Sequence, residues 1–503
     1  MHAPSARCYP LGDMATPSHG LDPEEFRRLG RIAVDLAAEH LARAAAGPVF
    51  RPMPPEERRA LLDEPLPSRG EPIAESLALA RDRVLAHPMG NGHPRFFGWV
   101  NSPPSHAGVI AEFLAAALNP SVAGGDHGAV YLERCAVRWI MELTGFPATG
   151  SMGLLASGGS MANLIGLAAA RHWAAREDGW NVREEGLSSA RPRVTLYLTE
   201  EGHSCLRKAA ELLGLGSDAI RIVPVDDELR MRPDALRDLV RADRAAGFRP
   251  FCVAASAGTV NTGAIDPLDR IADVCDAEGL WLHVDGAYGA VAASLPELAD
   301  ATAGLARARS LALDAHKWLS VPIECGCALV RDGALLRDAF SLVPPYLRTE
   351  EGKGFGGLPW FSEYGPQQTR GFRALKLWMT LRTVGRDGIE AMIRGNIAMA
   401  RRLADRVDEA PDLERLAPAP LSIVCFRYVP ADARGDEARL DALNKRMMER
   451  IQSEGEAFLS GTTIRGRFAL RACVLHYATA AADVDALLAA VRRAGLHCAR
   501  EAA

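Results

Sequence analysis

Lys317 is the residue of this sequence best placed to do covalent chemistry. It follows the apolar run Leu311–Leu313, which reads as a buried strand, and it stands in a polar cluster with Asp314 and His316 against Trp318. A lysine drawn out of water presents a neutral amine more readily, and that amine is a nucleophile able to form a Schiff base with a carbonyl. The same residue could also snorkel from the surface beside a packed tryptophan. The rest of the chain decides between the two.

Three further features stand where strands give way to loops or helices, and in open α/β sheets sites form at the carboxyl ends of strands. Ser157-Gly158-Gly159-Ser160 opens a helix, where small residues let backbone N–H groups approach a phosphate. It lacks both the Gly-x-Gly-x-x-Gly spacing and the Walker lysine, and taken alone it could be a helix cap. His203 follows the strand Val194–Leu198 and could stack on a planar ring. Leu282-His283-Val284-Asp285-Gly286-Ala287-Tyr288-Gly289 puts Asp285 at a strand end, able to hold a protonated ring nitrogen, or else to cap the next helix. A phosphate cradle, a ring stacker, a pyridinium acid and a Schiff-base lysine, in that order, are what pyridoxal phosphate requires.

On the motifs His203-Ser204, His283-Val284-Asp285-Gly286-Ala287-Tyr288 and Asp314-Ala315-His316-Lys317-Trp318, the chain resembles the group II pyridoxal-phosphate-dependent amino-acid decarboxylases, the aromatic-L-amino-acid decarboxylase family. The likeness runs over roughly residues 21–495. It implies an α/β chain of pyridoxal-phosphate-dependent transferase fold type I. A mostly parallel central sheet would carry a helical N-terminal segment and an α+β C-terminal domain. It implies decarboxylation of an L-amino acid to the amine and carbon dioxide through a Lys317 aldimine, a carboxy-lyase reaction. Asp285 would pair with the pyridine nitrogen, Ala287 would pack on the ring and His203 would stack over it near the substrate carboxylate. Gly159, Ser160 and His316 would bind phosphate, and Thr259 would anchor the ring. The family often carries Asn where this chain has Asp314, and an acid near a phosphate costs affinity unless it faces elsewhere.

Tyr346 matches the tyrosine of the family's mobile catalytic loop, and Gly352, Gly354, Gly356 and Gly357 suit a flexible lid. In the family this phenol protonates the carbanion left by carbon dioxide. Relatives with phenylalanine there run oxidative deamination to an aldehyde. That reaction, or aminotransfer on the same fold, is the alternative reading. The segment matching the family's substrate pocket, Asn119 to His127, is small and polar here, while Phe97 and Trp99 remain from the other wall. The expected pocket, with Phe97, Trp99, Asn119 and Ser121, is therefore wider or more polar than one for an aromatic substrate. Arg370 and Arg373 are expected to form structural ion pairs.

The elements that position these residues are legible from pattern. Asp22, Pro23 and Glu25 mark a helix start. Residues 47–72 read as an extended linker, followed by helices at about 73–87, 105–118 and 126–144. Strands then alternate with helices from about 150 to 330, the pattern of a mostly parallel sheet. Helices at about 366–383 and 387–407, a strand at 421–428, a helix at 438–454, strands near 457–464 and 467–475 and a helix at 482–494 ending at Gly495 close the chain. The expected division is 1–20 disordered, 21–103 N-terminal helical, 104–378 cofactor-binding and 379–503 C-terminal.

Composition excludes other classes. The 503 residues carry a formal net charge of −5, which points to no nucleic-acid or membrane partner. The ten cysteines are scattered, mostly in apolar runs, and read as reduced thiols of a cytoplasmic protein, with no metal-ligand spacing. No signal peptide or span of eighteen apolar residues is seen. The expected partners are a small amino-acid substrate and a second copy of the chain sharing the active sites. A nucleotide-binding module would need a magnesium-binding motif, and a cofactor-binding regulator would not need Lys317, Asp285 and Tyr346 together.

Overall fold

The computed structural model describes residues 20–187, 191–343 and 355–501. Packing divides these into two units, residues up to 47 with 51–89, and residues 48–50 with everything from 90 onward. The expectation of disorder over residues 1–20 falls, Gly20 apart, outside the described residues.

The first unit is helical: α1 (Pro23–Arg43), α2 (Pro55–Leu62) and α3 (Ile73–Ala80). Asp22 caps α1 by accepting from the N–H groups of Glu24 and Glu25 at 3.0 and 3.1 Å, with Pro23 in the first turn. The helix α2 lies inside the stretch expected to be a linker. Its start, Pro55-Glu56-Glu57, sets φ with proline and puts acids against the positive end of the helix dipole, a helix signal hidden among the other prolines.

The second unit begins with β1 (Phe96–Phe97), α4 (His106–Leu118), α5 (Gly128–Thr144), β2 (Met152–Ala156), α6 (Gly159–Glu177) and α7 (Val182–Glu185). It continues through β3 (Val194–Leu198), α8 (Ser204–Leu212), β4 (Ile220–Ile222), α9 (Pro233–Ala245), β5 (Arg249–Ser256), α10 (Leu268–Ala277), β6 (Trp281–Asp285), α11 (Ala299–Thr302), β7 (Ser310–Asp314) and β8 (Gly326–Val330). It ends with α12 (Gly333–Phe340), α13 (Arg373–Asp408), β9 (Leu413–Arg415), β10 (Ile423–Tyr428), α14 (Glu437–Glu454), β11 (Phe458–Ile464), β12 (Arg467–Cys473) and α15 (Ala481–Glu501).

The central sheet has seven strands in the order β2-β8-β7-β6-β5-β3-β4. The five strands from β7 to β4 are parallel, whereas β8 runs antiparallel to both β7 and β2. A parallel return needs a crossover of a dozen residues or more. The connection from β7 to β8, residues 315–325, is shorter and makes a tight turn instead, and this turn carries Lys317. Both faces of the sheet are covered. Leu311 and Leu313 join one apolar cluster and Ala312 the other, which is why these strands read as unbroken apolar runs.

The second sheet has the order β1-β11-β12-β10-β9. Phe96 and Phe97 pair in parallel with Phe458 and Leu459, so the aromatic stretch His93–Trp99 belongs to the sheet of the C-terminal region. Two helix expectations change. The pair predicted from 366 is one run from Arg373 to Asp408 broken at Gly385, where φ is 69°. Residues before Arg373 stay extended because the guanidinium of Arg370 is wholly buried against the wholly buried Glu133, and the carbonyl of Arg370 accepts from Val122 N–H at 2.8 Å. The last helix runs through Gly495 rather than stopping there. A Cβ on Gly495 would lie 2.6 Å from the ring of Tyr428, so this glycine serves close packing, not a helix end. No helix among the described residues is long and apolar enough to cross a membrane.

Candidate active site

The carboxyl ends of β5, β6 and β7 and the starts of α6 and α8 open onto one cavity of about 460 Å³. Its walls include Gly159, Ser160, His203, Thr259, Asp285, Ala287, Asp314, His316 and Lys317, nine residues that the sequence names. Lys317 is the one lysine on this wall among the described residues. Its Nζ lies 3.1 Å from Asp314 Oδ2, and its side chain is 21% exposed against 4% for Asp314. The neighbouring Trp318 locks the turn. It stacks on Tyr288 at 4.9 Å, and its indole N–H donates to Asn396 Oδ1 at 3.0 Å. A lysine on so rigid a turn has its reach set by its own side chain alone, the condition for orienting a covalent step.

Asp285 ends β6, and its Oδ1 accepts from the N–H of Ala287 at 3.1 Å. Two residues earlier, His283 anchors the same strand through a buried chain of hydrogen bonds. Asn163 Nδ2 donates to the carbonyl of Gly159 at 2.9 Å, which turns Asn163 Oδ1 toward His283 Nε2 at 2.7 Å. That nitrogen therefore carries the proton. His283 Nδ1 accepts from the Ser310 hydroxyl at 2.8 Å, whose oxygen accepts from the Trp281 N–H at 2.7 Å. The chain ties the first turn of α6 to the strand bearing Asp285. It also holds His283 neutral, and burial pushes its pKa down to about 4.

A pH prediction follows from that depression. Unfolded, the imidazole binds its proton near pH 6.5; folded, only near 4. The unfolded state thus holds more protons between these values. The stability due to His283 is complete above 6.5 and declines as pH falls toward 4, by about 2 kcal/mol at pH 5. Denaturant titrations at pH 7 and pH 5 should show this loss, and His283→Gln should remove it. A variant as acid-sensitive as the parent would count against the assignment.

The start of α6 makes an anion seat. Gly158 has φ +92°, and a Cβ on Gly159 would stand 2.6 Å from Asp314 Oδ2 and 3.3 Å from the Ala287 methyl. Side chains there would fill the space in front of the free N–H groups of the helix. His203 is the N-cap of α8, its Nδ1 accepting from Cys205 N–H at 3.2 Å. Both its capping role and its place on the cavity wall therefore hold, and burial lowers its pKa so that it stays a neutral ring. His316 Nδ1 likewise accepts a backbone N–H, from Cys325 at 3.2 Å, and burial lowers its pKa. The Thr259 hydroxyl lies 3.1 Å from that of Thr262. An amine, an acid at a strand end, a neutral imidazole and a phosphate-sized anion seat in one cavity fit pyridoxal phosphate.

The residues expected of the substrate pocket are not among those lining this cavity. Phe97 is wholly buried in the C-terminal core, because pairing with Leu459 turns it inward. Trp99 is 49% exposed and leans on Phe96 and Phe458, its ring 6.0 and 5.2 Å from theirs. Asn119 is the exposed left-handed C-cap of α4, with φ 44°, and Ser121 is exposed beyond it. None of the four lines the cavity. Tyr346 lies outside the described residues. Arg373 pairs with Glu324 at 2.6 Å, as an ion-pair role requires. Sequence reading passed over Asn163, Val260, Ile323 and Glu324, which do line the cavity. Asn163 was legible in principle, one turn after Gly159 on the same helix face.

Comparison with known proteins agrees with this geometry. Residues 55–429 match the model of the pyridoxal-dependent decarboxylase conserved domain. The chain is 34% identical over 458 residues to an aromatic-L-amino-acid decarboxylase of Bacillus atrophaeus, covering 91% of this chain and 92% of that one. It is 28% identical to a phenylacetaldehyde synthase of Arabidopsis thaliana, covering 90% and 92%. Among solved structures, Oryza sativa TDC with PLP and tryptamine superposes with a TM-score of 0.87 at 27% identity, covering 95% of this chain and 99% of that one.

Proposed function

This chain belongs to the pyridoxal-dependent decarboxylase family, and from that premise we propose how its residues remove carbon dioxide from an L-amino acid to leave the amine. It is a pyridoxal-phosphate-dependent amino-acid decarboxylase, a lyase of fold type I. Bound in the cavity, pyridoxal phosphate supplies an aldehyde for an amine and an electron-poor ring that accepts the electron pair of the breaking bond.

Lys317 would be the residue that holds the cofactor, through its side-chain amine, and that gives way to the substrate amine. Asp285 keeps a proton on the ring nitrogen, and its negative charge at the strand end is what makes that proton stable. The α6 N–H groups at Gly159 and Ser160, with His316, take the phosphate. Thr259 and Ala287 fix the ring plane. His203 has its Nδ1 committed to Cys205, so it presents a flat neutral ring and an Nε2 proton toward the substrate carboxylate. Tyr346 delivers a proton to the α-carbon as carbon dioxide leaves, so the product is the amine. The observation that carries this reading is the convergence of Lys317 and Asp285, from neighbouring strands, on a cavity that begins at the Gly158–Gly159 helix start.

Products from each common amino acid, followed by mass spectrometry, test it. Amine and carbon dioxide in equal amounts are expected. Aldehyde with ammonia and hydrogen peroxide, the outcome suggested by the phenylacetaldehyde synthase relative, would replace this reading with its alternative. Tyr346→Phe should move the parent enzyme's products from amine toward aldehyde, by at least about tenfold in their ratio. An unchanged ratio would take the protonation role from Tyr346.

We further place residues 104–378 in a cofactor-binding domain and 379–503 in a small domain whose sheet takes in β1. The protein acts as a homodimer with shared sites. Support comes from α4, which exposes the apolar side chains of Ile110, Leu114 and Leu118. A monomer in analytical ultracentrifugation at micromolar concentration would refute this. The nine described cysteines are all free and eight of them buried, in keeping with a reducing, cytoplasmic setting.

A further inference from the structure

We propose that Arg471, which stands behind the cavity wall and not on it, is a positioning residue that selects the substrate, by fixing the distance between Val100 and Val260. The inference rests on the function proposed above and adds to it what discriminates among side chains. The amine, the acid, the ring contacts and the anion seat belong to the cofactor in that reading. The aliphatic side chains left on the wall are then Val100, Val260 and Ile323. Ile323 is 63% exposed, whereas Val100 is 5% exposed and Val260 packs against the main core. The two valines are therefore the firm part of this wall.

Arg471 lies in β12, the middle strand of the second sheet, opposite Ser460 of β11 and Cys425 of β10. Strand alternation decides where it points. Leu470 and Ala472 enter the C-terminal core, while Ala469 and Cys473 join the cluster that holds Leu311, so Arg471 between them faces that side. There it is 4% exposed. Its Nε donates to the carbonyls of Val260 and Asn261, each at 3.0 Å, and its Nη2 also donates to that of Val260. Its Nη1 donates to the carbonyl of Trp99 at 2.9 Å and to Ser460 Oγ at 3.3 Å. One planar guanidinium thus joins the peptide that leads into Val100 to the peptide that leaves Val260.

Both segments need such a clamp. Trp99 has φ 47°, a left-handed conformation that a bulky side chain rarely adopts, and Arg471 holds its carbonyl there. The loop after β5 closes its own base, with Thr259 N–H donating to the Ala264 carbonyl at 2.8 Å and Gly263 N–H to the Thr259 carbonyl at 2.9 Å. Its tip, Val260 and Asn261, is held from outside. Besides Arg471, Cys425 Sγ donates to the Asn261 carbonyl at 3.3 Å and Thr462 Oγ1 donates to Asn261 Oδ1 at 2.9 Å. The three inner strands β10, β11 and β12 therefore each send a donor to this tip. A lysine in place of Arg471 keeps the charge but is a single point of donors, unable to span two segments as the flat fork does. The base of the loop, with Thr259, would stay as it is, so the change falls on the space between the valines and not on the cofactor contacts.

The experiment titrates the visible absorbance of the cofactor-loaded enzyme with each common amino acid, for the parent, Arg471→Lys and Thr462→Val. The parent should bind at least one larger amino acid about tenfold or more tighter than L-alanine, whose methyl offers the wall little to hold. In Arg471→Lys that preferred amino acid should bind at least about tenfold more weakly, with L-alanine changing less than about threefold. Equilibrium dialysis should find the affinity for pyridoxal phosphate within about threefold of the parent's, a difference well under 1 kcal/mol. Thr462→Val removes one donor from the loop tip and leaves the buried cation in place. It should narrow the same preference by about threefold, and it decides the matter should the lysine variant not fold. Equal weakening of every amino acid together with loss of pyridoxal phosphate, as a purely structural role would give, would overturn the proposal. So would an unchanged preference in the variants, or a parent that binds L-alanine as tightly as any larger amino acid. Each of these leaves the decarboxylase reading intact. A parent whose absorbance responds to no amino acid would overturn both.

Discussion

Lys317→Ala is expected to lower kcat by about 10⁴-fold or more, equivalent to about 5.5 kcal/mol of barrier, and to end covalent capture of the cofactor. Among the described residues the lysine is the one amine on the cavity wall, on a turn whose next residue is locked by stacking and by a hydrogen bond to Asn396. Removing it also strips Asp314 of its ionic partner at 3.1 Å, which makes a fold control necessary. Lys317→Arg serves that purpose. It keeps a cation for Asp314 but cannot form the Schiff base, so it should retain native stability while losing turnover to the same extent. Borohydride reduction, proteolysis and mass spectrometry of the peptide containing residue 317 give a readout independent of activity. Turnover within tenfold of the parent in either variant would sink the assignment.

Asp285→Asn is expected to reduce kcat by about 10³-fold, about 4 kcal/mol, with KM changed by less than about fivefold. The amide keeps the shape and can still accept from the Ala287 N–H, so the strand end should stay in place. What it loses is the charge that holds a proton on the ring nitrogen, and hence the ring's ability to take up electrons as the carboxylate leaves. Because that interaction strengthens as the bond breaks, its loss belongs in kcat and not in binding. Asp285→Glu restores the charge at a displaced position and should recover part of the rate. A variant whose KM rises while kcat stays constant would show that Asp285 only binds.

The two variants and the His283 relay meet in one structural feature. Asp285 ends β6 and Lys317 follows the neighbouring strand β7, with Asp285 opposite Ala312 in the register. His283 fixes the first of these strands to the start of α6. Acid and anion seat are thus held by backbone pairing and one buried polar chain, and the amine by a turn that Trp318 locks.

Much of this was legible in the chain itself. Unbroken apolar strands alternating with helices imply a parallel sheet covered on both faces, and a parallel sheet presents the ends of its strands along one edge. Gly159, His203, Asp285 and Lys317 each end or closely follow such a strand, so their meeting at one cavity was implied by local pattern before any distance was known. Cap chemistry was equally local, as at Asp22. The pairing of residues far apart in sequence, however, was not written in local pattern. Only the folded chain put Phe97 beside Leu459, and a strand's register decides which face every side chain takes, so Phe97 went to the core instead of the pocket. Gly495 looked like a helix end until the ring of Tyr428 was found against it. Asp314 could be seen as an acid near the lysine, but its unsatisfied oxygen and its place before Gly159 exist only in three dimensions. Periodicity reports on neighbours along the chain, and it can therefore determine which elements form and which ends carry chemistry. Contacts between elements depend on packing and register, which the tertiary structure alone decides.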